Sequence, residues 1–338
     1  MDRLLSTLTV TTIGLTCKAV LNLGFASVTV RGLSNFLQIL DDAGRVEDGR
    51  GVITASNHIS TLDDPLAWGV LPTRAYLNSR TIRWSLGAHD IMFTNPIFSA
   101  FFRKGQVLET FRGSGIYQPA VDTAIKKLDQ GHWVHLFGEG GVNQPDTYAV
   151  EDGKARLRRF KWGVGRIMME ARKAPIVVPI WLTGFDRLMP EGRSVPYKFI
   201  PRPGQDLSVT FGQPISAERL SVALRGNDIP TRMNADSEAL YSGATTHGTG
   251  WMANFVTTRP LVTHPPQLSS QTDSGHISQP DAGAGDRMQR EQLVGAEVDE
   301  QLARVRAEVT RIVQDAVEEL GRKLVGDQLG KTPPRKPI

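Results

Sequence analysis

Two short runs, "GVITAS" (51–56) and "IVVPIWL" (176–182), place apolar or small residues at nearly every position, and "HWVHLF" (132–137) reads as a third strand, running into "GEGG". A strand with one wet face alternates apolar and polar residues, so near-continuous runs of this length belong to strands covered on both faces. The text between them supplies the cover. "LSNFLQIL" reads as a short helix. "QPAVDTAIKKL" reads as another, with Pro119 near its start, Val121, Ile125 and Leu128 in helical register, and Gly131 as its stop. "FKWGVGRIMMEARK" has helical spacing and ends before Pro175, while "ASVTVRG", "TIRWSLG" and "LSVTFG" read as further strands. Such alternation predicts an α/β fold with crossover helices.

The chain has 338 residues, enough for one large α/β domain with appendages or for two modest domains. Residues 1–30 form an N-terminal membrane-associated segment whose apolar stretch, Leu4–Val30, has the length of a span. Lys18, Asn22 and many Thr and Ser residues dilute it, which leaves a helix lying in the interface as an equal reading. A cleaved secretory signal and a mitochondrial presequence are both disfavoured, the latter by Asp2 and the scarcity of early arginine. Residues 31–222 form the main domain. Residues 223–288 are polar, Gly- and Pro-rich text that cannot bury enough apolar surface to offset chain entropy, and read as a mostly disordered insertion. Residues 289–325 form one long amphipathic helix, from the recurrence of Val298, Leu302, Val305, Val309, Ile312, Ala316 and Leu320, with Glu318–Arg322 and Glu319–Lys323 as supporting pairs. Residues 326–338 are a flexible tail. A single cysteine, Cys17, excludes an internal disulfide and a cysteine-rich zinc site. The net charge of +4 suits anionic lipid or phosphate and is too weak to argue for nucleic acid.

The chemistry concentrates in four places. In "SNHISTLDDP" (56–65), His58 is able to take a hydroxyl proton near neutral pH, and Asp63 or Asp64 reaches back to its other ring nitrogen if "ISTL" makes one turn. The preceding strand places this pair at a strand's carboxyl end, where open α/β sheets carry their sites. In "HLFGEGGVNQ" the glycines let backbone N–H groups approach an oxygen closely, and Glu139 is an acceptor for a glycerol hydroxyl or an arginine. Arg112 in "ETFRGSGIYQ" is a candidate phosphate clamp. Arg158, Arg159, Lys161 and Arg166, interleaved with Phe160 and Trp162, suit a phospholipid headgroup. The other six histidines read as structural or incidental.

Taken in order, "NHISTLDDP", "FRGSGIYQ", "FGEGGVNQ" and "RFKWGVGRIMMEARKAPIVVPIW" resemble the glycerolipid acyltransferase family, whose marks are H-x4-D, an Arg block, F-P-E-G and a late V-P-I. The doubled "DDP" and "FKWGVGR" are similar to its mitochondrial branch that remodels cardiolipin. The resemblance spans roughly Thr54 to Ile215. It implies a mixed, largely parallel sheet flanked by helices. It also implies transfer of an acyl chain from a phospholipid to a lysophospholipid, without CoA, metal or other cofactor. On this reading His58 is the general base and Asp63 its orienting acid. Asn57, Ser60, Arg112, Gly113, Glu139, Gly140, Gly141, Lys161 and Arg166 bind substrate. The implied partners are cardiolipin, monolysocardiolipin, phosphatidylcholine and a membrane surface, and no nucleic acid. The implied location is a mitochondrial membrane, with peripheral or monotopic attachment facing the intermembrane space. Residues 1–30 and 167–185 are the expected attachment points, although "IVVPIWL" reads equally as a central strand. One position departs from the family: Gly138 stands where it has proline, which frees the turn's φ.

Three rival readings start from the same residues. An acyl-CoA-dependent lysophosphatidate acyltransferase would share the base. A non-catalytic membrane lipid-binding protein would keep only the fold. A metal-dependent hydrolase would use His58, Asp63 and Asp64.

Overall fold

The structure is a computed structural model and describes residues 2–23, 26–220 and 283–331. Its strands are β1 (Ala26–Arg31), β2 (Val52–Ser56), β3 (Trp84–Ala88), β4 (Val107–Thr110), β5 (Trp133–Phe137), a small hairpin of β6 (Ala149–Glu151) and β7 (Lys154–Arg156), β8 (Ile176–Thr183) and β9 (Gln205–Phe211). Seven of them make one sheet in the order β1-β9-β8-β2-β5-β3-β4. Every pairing in it is parallel except β8 with β9, so the sheet is mixed and largely parallel. "IVVPIWL", "GVITAS" and "HWVHLF" are its centre, β8-β2-β5, and all five residues of β2 are buried.

Helices cover both faces of that centre. Phe36, from the helix Leu33–Asp41, stacks on Phe211 at 4.8 Å and meets Trp133 edge-on at 4.9 Å. Pro179 sits inside β8 at no cost to the ladder. Its carbonyl accepts from Gly212 N–H just where pairing with β9 has ended, so its missing N–H faces the same finished edge. The expectation that 167–185 attaches to a membrane is corrected here: Ile167, Met168, Val177, Val178, Ile180, Trp181, Leu182 and Phe185 are all buried core.

The N-terminal helix Asp2–Asn22 includes a stretch, Leu4–Asn22, long and apolar enough to cross a membrane by length and composition. It instead lies along the domain. Ser6 Oγ donates to Lys104 O, Thr11 Oγ1 to Tyr76 O, and Lys18 Nζ to Leu71 O. Gly14 permits the closest approach, since a Cβ there would stand 2.6 Å from the Tyr76 ring. The 1–30 boundary also moves, because Ala26–Arg31 already belongs to the sheet as β1.

At the other end, the helix Gly283–Val325 begins inside the segment read as disordered; residues 223–282 lie outside the described residues. The helix packs on β8 and on the helix Gly163–Glu170. A Cβ on Gly321 would come within 2.6 Å of Trp181, and Gly165 N–H donates to Thr310 Oγ1 at 3.1 Å. Glu318 pairs with Arg322 as expected, whereas Glu319 pairs across space with Arg219 at 2.7 Å. The tail is not loose at its start: Leu329 is buried and Lys331 Nζ donates to Tyr148 O at 2.7 Å, while 332–338 lie outside the described residues.

Candidate active site

Four parallel strands, β2, β5, β3 and β4, end at the same edge of the sheet, and the loops leaving them carry the motifs. His58 stands two residues past β2. Its ring lies flat on Phe137, the last residue of β5, with centroids 4.1 Å apart, and its side chain is 18% exposed. Nδ1 is 3.0 Å from Asp63 Oδ2, and the same oxygen accepts from Ile59 N–H at 2.6 Å and Ser60 N–H at 2.8 Å. With Asp63 ionised, its carboxylate only accepts, so Nδ1 carries the proton and the lone pair falls on Nε2. Burial pushes the Asp63 carboxyl above its ordinary value, against the pull of His58 and the two backbone donors.

The choice between the two acids is thereby made. Burial raises the Asp64 carboxyl, but the Arg83 guanidinium outweighs it and holds the group below its ordinary value. Arg83 grips both carboxylate oxygens and Trp68 Nε1 donates to one of them at 3.0 Å, so Asp64 is committed to structure.

"FGEGGVNQ" serves the turn that carries His58. His58 N–H donates to Glu139 Oε1 at 3.0 Å, His58 O accepts from Asn143 N–H at 2.7 Å, and Ile59 O accepts from Gln144 Nε2 at 3.1 Å. Glu139 Oε2 takes Asn143 Nδ2 and Arg158 N–H. Glu139 is 0% exposed, which corrects its expected role: it fastens the turn and does not face substrate. Gly138 is no weak point either. A Cβ there would stand 2.3 Å from the buried Phe160 ring, and its carbonyl accepts from Lys161 N–H at 2.8 Å.

Burial also pushes the Glu139 carboxyl up from 4.5 to about 7. The folded chain therefore holds that proton more tightly than the unfolded one, and this contribution to stability is present below the unfolded value and lost as pH rises toward 7. Urea midpoints should fall across that window, and Glu139→Gln should flatten the fall. An unchanged slope in the variant would refute the assignment.

The remaining candidates divide. Asn57 is buried and spends its amide on the Leu182 backbone, donating to its carbonyl and accepting its N–H at 2.9 Å each. Ser60 is buried, its Oγ accepting from Leu62 N–H. Arg166 is bound to Asp122 at 2.6 Å, to Glu170 at 3.0 Å and to Ile116 O, so it braces the core. These three are corrected from substrate-binding to structural positions. Lys161 is exposed with its stem against Gly140, and the Arg158 guanidinium lies near Gly141, which sets two cations over the glycine turn. The Gly140 N–H is used in closing the turn onto Phe137 O, whereas Gly141 N–H makes no hydrogen bond among the described residues. Gly113 is exposed with φ +83°, and the adjacent Arg112 makes an exposed pair with Asp90 at 3.2 Å. Arg112 is three strands from His58, about 14 Å at the usual inter-strand spacing.

Asn143 and Gln144 are the functional residues that sequence reasoning passed over, although both stand in the quoted motif. A second histidine–acid pair also went unseen. His89 Nδ1 lies 2.6 Å from Glu109 Oε1, an acid twenty residues away that only the β3–β4 pairing brings close.

The Acyltransferase family model matches residues 27–183. A taffazin of Dictyostelium discoideum is 36% identical over 62% of this chain and 69% of its own length. A tafazzin of Drosophila melanogaster is 41% identical over 54% of this chain and 45% of its own length, so the chain spans less than half of that relative. An N-acylphosphatidylethanolamine synthase of Arabidopsis thaliana is 41% identical over 49% of this chain and 56% of its own length.

Proposed function

The chain belongs to the tafazzin branch of the glycerolipid acyltransferase family, and from that premise we propose that it is a CoA-independent transacylase that moves fatty acyl chains between phospholipids and lysophospholipids, cardiolipin and monolysocardiolipin among them. The observation that carries this reading is the His58–Asp63 contact of 3.0 Å, which leaves Nε2 as a base on an accessible ring. Nε2 takes the proton of the lysolipid hydroxyl, and the freed oxygen attacks the ester carbonyl of the donor lipid. The Gly141 N–H is the available donor for the oxyanion. Collapse breaks the bond to the donor's glycerol oxygen, which recovers the proton from Nε2 and leaves as a lysolipid. One ester is exchanged for another, so the balance closes with no nucleotide, thiol or metal. Lys161, Arg158 and Arg112 supply cations for phosphodiesters at two places along the edge, which suits a reaction that holds two lipids at once. Monolysocardiolipin as acceptor and a mitochondrial membrane as location are parts of the same proposal, supported by the likeness to the tafazzins.

Purified protein in CoA-free liposomes, with an isotopically labelled acyl group on the donor, should yield labelled former lysolipid and unlabelled lysolipid in equal amounts. Strict dependence on acyl-CoA would reject the proposal in favour of the CoA-dependent reading. Label appearing on an ethanolamine nitrogen would place the activity with the Arabidopsis relative instead.

A further inference from the structure

The loop between β8 and β9 was absent from the sequence reading, yet it carries some of the most exposed large apolar side chains among the described residues. Val195, Tyr197, Phe199 and Ile200 all project outward, Phe199 being 67% exposed. Arg193, Lys198 and Arg202 are interleaved with them, and from 187 to 203 the sequence holds four cations against the single acid Glu191. Arg193, Tyr197, Ile200 and Arg202 line a cleft of about 450 Å³ within the loop. The loop is tied to the catalytic turn. Gln144, whose amide holds Ile59 O, also donates to Met189 O at 3.1 Å and accepts from Glu191 N–H at 3.1 Å.

A second exposed apolar group stands on the opposite flank. The helix Pro96–Lys104 presents Ile97 (79% exposed), Phe98 and Phe101, and Ile91, in the short helix His89–Met92 after β3, and Phe111, just past β4, are exposed as well. Arg103 and Arg112 accompany them, and the exposed Leu4, Leu5 and Leu8 of the N-terminal helix adjoin through the Ser6–Lys104 contact. In the strand order β8-β2-β5-β3-β4, the first group follows β8, the second surrounds β3 and β4, and His58 follows β2 between them.

We propose that these two lobes form one membrane face, which seats the carboxyl edge of the sheet on an anionic lipid leaflet with His58 facing the bilayer. Cations among aromatic and aliphatic groups match the border between headgroups and acyl chains. A protein covering both lobes would close the entrance to His58, whereas a leaflet delivers the ester to it. The proposal rests on the phospholipid-transacylase reading and adds the surface through which its substrates arrive.

The test uses two paired variants of the full chain, Tyr197→Ser with Phe199→Ser, and Ile97→Ser with Phe98→Ser. Co-sedimentation with phosphatidylcholine vesicles containing phosphatidylglycerol should weaken by at least about tenfold in each. Acyl transfer between dissolved short-chain lipids should match the parent, which also verifies folding. Unchanged vesicle binding in either variant overturns the proposal. So does a lipid-free dimer of the parent that the substitutions dissolve, which would assign the lobes to a second copy. Vesicle binding governed by both lobes in a protein without CoA-free transfer would reject the function and keep the membrane face.

Discussion

His58→Ala should lower CoA-free acyl transfer by roughly 10⁴-fold or more, with circular dichroism and vesicle binding unchanged. The ring lies at the surface of the turn, against Phe137, and its removal leaves Asp63 with both backbone donors, so the fold has little reason to respond. Asp63→Asn separates orientation from proton transfer. Its amide oxygen still accepts from Ile59 and Ser60, but a neutral amide no longer stabilises the imidazolium formed during attack, and turnover should fall by about 10² to 10⁴-fold. Because burial raises the Asp63 carboxyl, the ionised form is held at a cost to stability near neutral pH. Asp63→Asn should therefore melt no lower than the parent while losing activity. That pairing discriminates between roles: a merely structural acid would lose stability and activity together. Retention of more than about a tenth of the activity by His58→Ala would remove the base from the mechanism.

What could be read from the residues, and what could not, follows the range of the interactions. β2 and β8 were legible because burial on both faces writes itself into consecutive positions. The His58–Asp63 pair was legible because five residues and one turn suffice to close it. The helix Pro96–Lys104 had a local signature that was passed over: Pro96 at its first turn and the Asn95 side chain accepting from Phe98 N–H. β4 has only four residues and is defined by its neighbour more than by itself. The roles of Glu139 and Arg166 were misread for a different reason. An acid beside glycines and an arginine among aromatics look available for a ligand in one dimension. Their partners, the His58 backbone and Asp122, are 81 and 44 residues away. Polar residues near a site divide into those that meet the substrate and those that hold the ones that do, and only tertiary distance makes the division.

Glu318→Ala should cost about 3–5 kcal/mol of unfolding free energy, the range for leaving buried charge unpaired. Glu318 is 2% exposed and accepts from Leu157 N–H and Gln314 Nε2 on one oxygen, and from Arg156 and Arg322 on the other. The carboxylate thus stitches the C-terminal helix to β7 and to Leu157, just past it, where the chain leads into the basic cluster. Truncation orphans the buried Leu157 N–H and strips Arg322 of its carboxylate, leaving its guanidinium only the carbonyls of Ala155 and Asp327, which ordinary loss of packing does not do. Glu318→Gln keeps the volume and one acceptor oxygen, and should cost less than half as much. Both are read from urea unfolding at fixed pH, with transfer activity per folded molecule kept, because Glu318 touches no residue of the catalytic turn. If Glu318→Ala unfolds within about 1 kcal/mol of the parent, the C-terminal helix is an appendage and not a wall of the domain. The packing of Gly321 against Trp181 argues for the wall: a helix admitted that closely to a central strand shields the sheet that carries His58.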